Sequence, residues 1–190
     1  MTIVVTMRRY FSLCLFFLCT SSAAYSFVNF NEVSSVAGIN YVGQSWGAYW
    51  GDIDNDGWPD LWVSNHSNKP LLYRNKGDGS FEEIIDQVLP ATHKLIYQGY
   101  DMHGVGWADF DNDGDKDLIQ AADGAPFSQP NWLLENSQGV LIERGIDLGI
   151  NTVANNYANS RVPTWFDWDN DGLLDLAIST STRNSSSPKA

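Results

Sequence analysis

The chain has 190 residues and a net charge of −12, and it is 43% hydrophobic and 13% aromatic. That length suits one ordinary domain, and the acidity repels a phosphate backbone, which excludes nucleic acid as a partner. All eight Trp follow residue 26, an aromatic load that separates the chain from acidic disordered sequences.

Residues 1–26 read as a cleaved signal peptide. Arg8 and Arg9 supply the positive start, residues 10–19 form a short apolar core, and small residues fill positions 20–24. Cleavage after Ala24 or Ser26 fits the small-residue rule. The apolar run falls short of the roughly 20 residues that span a bilayer, and no later segment is apolar enough to do so. The expected destination is therefore secreted, extracellular or periplasmic, with no membrane span after cleavage. Both cysteines, Cys14 and Cys19, lie inside this segment, so the mature chain has no disulfide, and a bound metal is an alternative source of stability. Removing Arg8 and Arg9 without any acidic residue takes the net charge from −12 to −14.

Residues 27–33 match only the last strand of a repeat, because Phe30-Asn31-Glu32-Val33 parallels Phe81-Glu82-Glu83-Ile84. The first full copy then predicts strands at 48–51, 61–63, 71–74 and 81–84, with the hairpin-rich turn 75–80 joining the last two. A second copy predicts strands at 105–108, 118–121, 132–134 and 140–142. A third stops after its second strand, near Ser179, and the Ser-rich tail 181–190 reads as disordered. Trp50, Trp107 and Trp165 recur two residues before the first Asp of each copy, which marks them as core. Asn75 pairs with Asn136, and Gly38-Ile39 with Gly149-Ile150. The loops begin at Asp52, Asp109 and Asp167, offsets of 57 and 58 residues, and such a period signals stacked repeats or a propeller. The fold class is all-β: a partial β-propeller of four-stranded blades, about two and a half of them where a ring usually closes with 4–8.

Chemistry concentrates in three loops, 52–60, 109–117 and 167–175, which hold 13 of the 23 acidic residues. Asp stands at the first, third, fifth and ninth positions of each. Gly57, Gly114 and Gly172 at the sixth permit the sharp turn that brings the ninth residue back. The seventh residue, Trp58, Asp115 or Leu173, can add a backbone carbonyl. An all-oxygen donor set suits Ca²⁺, whereas zinc or copper would call for His or Cys. An EF-hand needs Glu at the twelfth position, where Val63, Gln120 and Ile178 stand instead.

Trp50-Gly51-Asp52 through Leu61, then Leu72-Tyr73-Arg74-Asn75 and Gly77-Asp78-Gly79-Ser80-Phe81, strongly resembles FG-GAP/VCBS-type repeats, most closely those of cartilage acidic protein-like secreted proteins and their bacterial relatives. The resemblance runs over residues 27–180. It implies a β-propeller with calcium held between the first two strands of a blade, as in integrin α-subunits. Its carried-over ligands are Asp52, Asp54, Asp56 and Asp60; Asp109, Asp111, Asp113 and Asp117; and Asp167, Asp169, Asp171 and Asp175.

No nucleophile elbow, phosphate loop or reactive cysteine stands in the mature sequence, so the expectation is a non-catalytic binding or adhesion module with an extracellular protein or glycan partner. Missing blades or self-assembly would complete the ring. Trp46, with Trp58 and Trp62, points to an alternative, a carbohydrate-binding propeller of lectin type through an exposed aromatic surface. A fragment of a larger exported enzyme is the other alternative. His66, His93 and His103 read as surface or loop residues. Asn65-His66-Ser67 and Asn184-Ser185-Ser186 fit glycosylation acceptors, relevant only to a eukaryotic secretory path.

Overall fold

The computed structural model describes residues 5–8, 29–66, 68–89, 101–123, 130–150 and 158–182. Strands β1 (Val5–Arg8) and β2 (Asn29–Glu32) pair antiparallel. The first blade is β3 (Ser45–Gly51), β4 (Asp60–Asn65), β5 (Leu71–Asn75) and β6 (Phe81–Glu83), followed by the short helix α1 (Ile85–Val88). The second is β7 (Asp101–Ala108), β8 (Asp117–Asp123), β9 (Trp132–Ser137) and β10 (Val140–Glu143). A final pair, β11 (Ala158–Phe166) and β12 (Asp175–Thr182), has the place of the first two strands of a third blade. Both four-stranded sheets are antiparallel meanders in chain order. The chain is all-β, a partial propeller with two whole blades and half of another among the described residues.

Burial follows from this stacking. Every residue of β4 is buried, because this strand lies inside a blade that is covered on both faces. Alternate side chains then serve two cores. Trp62 and Leu72 join Met102, Leu118 and Leu134 in the core between the blades. Leu61, Val63 and Tyr73 pack on the opposite face beneath Ile39 and Tyr41.

First strands stand side by side: β7 packs against β3 on one flank and β11 on the other. The recurring Trp wedges between blades. Trp107 meets Trp62 of the preceding blade edge-to-face at 6.3 Å, and its ring fills the space over Gly51, where a Cβ would run into the Trp107 ring. Trp165 repeats this one blade later, stacking on Phe110 at 6.1 Å and donating its Nε1–H to the Gly106 carbonyl at 3.3 Å. Trp50 occupies the same repeat position, but its ring is 53% exposed.

Two strands reach into the segments that flank the repeats. Val5–Arg8, inside the segment read as a signal peptide, is strand β1, so cleavage after residue 24 or 26 would open the β2 edge. At the other end β12 reaches Thr182, two residues into the segment read as a disordered tail, because the ladder to β11 continues through Ala158↔Thr182. Residues 183–190 lie outside the described residues.

Candidate functional site

Each Asp-rich loop joins the first strand of a sheet to the second. The fourth residue, Asn55, Asn112 or Asn170, has φ between 56° and 61°, and the sixth-position Gly has φ of 88°, 98° or 89°. Asn tolerates the left-handed region best among residues with a side chain, so the Asp-Asn-Asp-Gly order is a backbone requirement as well as a chemical one.

The first carboxylate organises each turn. Asp52 accepts the N–H groups of Asp56 at 3.2 Å and Gly57 at 2.9 Å. Asp109 does so for Asp113 and Gly114, and Asp167 for Asp171 and Gly172. The ninth carboxylate closes it. Asp60 Oδ2 accepts Ile53 N–H at 2.9 Å, Asp117 Oδ2 accepts Phe110 N–H at 2.9 Å, and Asp175 Oδ2 accepts Trp168 N–H at 2.7 Å.

These bonds gather the first, third and ninth carboxylates. Asp52, Asp54 and Asp60, then Asp109, Asp111 and Asp117, then Asp167, Asp169 and Asp175, each offer oxygens lying within 4.8 Å of one another. Two oxygens on opposite sides of one calcium, each about 2.4 Å from it, stand about that far apart. A carboxylate has about four acceptor sites, so the hydrogen bonds leave capacity for an ion. The donor set is wholly oxygen, and the residues fit Ca²⁺.

The fifth-position carboxylates serve the turn. Asp56, Asp113 and Asp171 each accept the N–H of the seventh residue, Trp58, Asp115 or Leu173, at 2.8 Å. The Asp115 side chain also reaches Asn55 of the neighbouring loop at 2.8 Å and the Gln138 N–H at 3.2 Å, so the first two loops brace one another.

Burial separates the three sites. Asp60 and Asp117 are fully buried, and loss of hydration pushes both carboxyls up to about 6. Asp111 is also raised, first by desolvation and then by the charge of Asp113. Asp175 is exposed.

Residues 52–120 match the FG-GAP-like repeat family. No curated protein matches the chain. The FG-GAP-like stretch spans the first two loops and the strands β4 to β7 between them. The third loop lies beyond the match yet repeats the same hydrogen bonds from Asp167 and Asp175.

Other expectations are corrected here. Trp62 cannot share an exposed surface with Trp46 and Trp58, because it is fully buried and its Nε1–H donates to Gln120. Trp46 lies near the start of β3 whereas Trp58 lies in the loop beyond its far end, so the two do not form one patch. Asn65 is no free glycan acceptor in the fold: it is buried, and its Nδ2 donates to the Lys69 carbonyl at 2.8 Å. Asn184 lies outside the described residues, as does His93. His66 and His103 are not loose surface groups. Both touch Asp101 and Trp46 in a cluster at the starts of the first strands. Repeat spacing aligns Trp46 with His103, but it could not place His66 and Asp101 beside them, because the four come from two separate blades.

Proposed function

We propose that this chain is an exported, calcium-binding β-propeller segment that acts as a non-catalytic binding or adhesion module. The observation that carries the reading is the threefold convergence of carboxylate oxygens from the first, third and ninth loop positions. Calcium would be held by these Asp residues together with the fifth-position Asp56, Asp113 and Asp171 and the carbonyls of Trp58, Asp115 and Leu173. When bound, it supplies charge neutralisation where like charges otherwise repel. The chain's own groups do the rest: Asp52 and its counterparts shape the turn, and Asp60 and Asp117 tie it to the blade.

FG-GAP-like repeats are typically extracellular and non-catalytic, which supports the location and the absence of chemistry. No helix among the described residues is long and apolar enough to cross a membrane. Export itself is supported by the order of charge, apolar run and small residues before position 26.

The deciding experiment is a calcium titration of the purified protein followed by thermal melting. Sites of the extracellular class bind at about 10⁻⁴–10⁻³ M, so linkage predicts a rise in Tm across millimolar calcium. An unchanged Tm sinks the calcium reading. N-terminal sequencing of the secreted protein is expected to begin at Tyr25 or Phe27, and retention of Met1 would contradict cleavage.

A further inference from the structure

At the end of the first strands opposite the Asp loops, the repeat position occupied by Trp46, His103 and Arg161 breaks the sheet register in all three copies. The ladder shifts between Ser45 and Gly47 in β3, between Met102 and Val105 in β7, and between Ser160 and Pro163 in β11. Such bulges re-aim a side chain and cluster beside functional sites. Each is held by a side chain. Ser45 Oγ donates to Asn65, Gln120 Nε2 donates to the bulge carbonyls of His103 and Gly104, and Val162 N–H donates to Ser179 Oγ.

The re-aimed groups converge across blades. The Trp46 and His103 rings stack with centroids 5.9 Å apart, and Arg161 Nη1 lies against the His103 ring nitrogens. Asp101 ties the set together, accepting from Trp46 Nε1 at 2.6 Å and pairing with His66 Nδ1 at 2.8 Å. The indole is thereby clamped by its nitrogen, yet 54% of Trp46 remains exposed. A free hydrophobic surface gains nothing from such anchoring; a recognition platform does.

We infer that Trp46, with Asp101, His66, His103 and Arg161, forms a binding site for a neutral glycan. A pyranose offers an apolar C–H face to a flat aromatic ring, and its hydroxyls both donate and accept. Asp101 supplies acceptor oxygens at the edge of the indole, and Arg161, against the His103 ring stacked on that indole, supplies donors. Both charge signs stand in the cluster while the chain as a whole is strongly acidic, which favours a neutral sugar over a polyanion. The site lies six residues along β3 from Asp52, about 20 Å at 3.3 Å per residue, so it does not depend on the calcium reading.

Saturation-transfer NMR on the calcium-loaded protein, with the methyl glycosides of glucose, galactose, mannose, fucose and N-acetylglucosamine, tests it alongside a neutral glycan array. At least one neutral sugar is expected to bind. Trp46→Ala is expected to weaken it about tenfold or more, the size of one lost stacking contact, and Trp50→Ala, near the far end of the same strand, to leave it unchanged. Trp46→Phe, which keeps an aromatic face but loses the Nε1–H, is expected to fall between, and with Arg161→Gln it carries the test if Trp46→Ala fails to fold. No binding by the wild type, binding only to sulfated glycans, or binding indifferent to all three site variants overturns the inference. A blank array beside a calcium-dependent Tm would remove this site and leave the calcium reading standing.

Discussion

Asp60 Oδ1 accepts the backbone N–H of Asn75 at 2.7 Å, which ties the last carboxylate of the first loop to the third strand of its blade. Asp117 Oδ1 makes the same bond to Asn136 N–H at 2.9 Å. This gives the repeated Asn a structural reason: its side chain reaches back to the residue before the ninth Asp, to the Pro59 carbonyl from Asn75 and to the Lys116 carbonyl from Asn136. Asp175 has its loop bond to Trp168 but stands in a two-stranded sheet, exposed.

Asp60→Ala in calcium-free buffer is therefore expected to cost about 2–6 kcal/mol, because two N–H groups lose their acceptor at about 1–3 kcal/mol each. Asp175→Ala should cost less than about 1 kcal/mol, since water replaces the exposed carboxylate. Urea unfolding in chelator measures both. Equal losses would show that the third strand adds nothing to the ninth position.

Acidity gives a second, opposite-signed handle. Burial raises Asp60 and Asp117 to about 6 from an ordinary 3.8. The folded state thus holds their protons more tightly than the unfolded chain does. That contribution to stability is complete below pH ~4 and is lost as pH rises through about 6. In chelator, Tm should rise as pH falls from about 7 to 5. Calcium needs the ionised carboxylates, so the gain in Tm on adding calcium should be larger at pH 7 than at pH 5. A chelated protein whose Tm falls over that interval contradicts the assignment.

Trp107 and Trp50 share a repeat position but not an environment. Trp107→Ala removes the wedge against Trp62 and should cost about 3 kcal/mol. Trp50→Ala, at a half-exposed ring, should cost under about 1 kcal/mol. Gly51→Ala should cost about 1–3 kcal/mol by overpacking against the Trp107 ring. That penalty should vanish in a Trp107→Ala background, a coupling that a double-mutant cycle reads directly.

Gln120 is a buried polar residue with a defined task. It accepts from Trp62 Nε1 and Ser64 Oγ and donates to the β7 bulge carbonyls. Gln120→Leu should cost about 3 kcal/mol, because several buried polar groups are stranded at once. It should also broaden the NMR signals of Trp46 and His103 while those of the Asp loops stay sharp. Unchanged signals at the bulge would argue that Gln120 only fills space.

Much of this architecture was legible in the residues. Alternation and turn chemistry are local, so the strands of both blades, the loops and the 57-residue period could be read directly. The left-handed Asn and Gly positions follow from the same local sterics. The recurring Trp was read as core in all three copies; Trp107 packs partly buried against the inter-blade core, Trp165 is partly buried against Phe110, and Trp50 is exposed, since a repeat position is buried only where another blade covers it. Trp62 looked like Trp46 in one dimension, but one ring lies between sheets and the other on a bulge.

Residue order alone determined an all-β repeat with an oxygen-rich loop in every copy, because backbone sterics and side-chain alternation act over a few neighbouring positions. Which oxygens meet, why Asn65 is shielded, and how Trp46 finds Asp101 across 55 residues were decided only by blade stacking. Stacking sets burial, register shifts and cross-blade hydrogen bonds, and none of these is encoded within a single repeat.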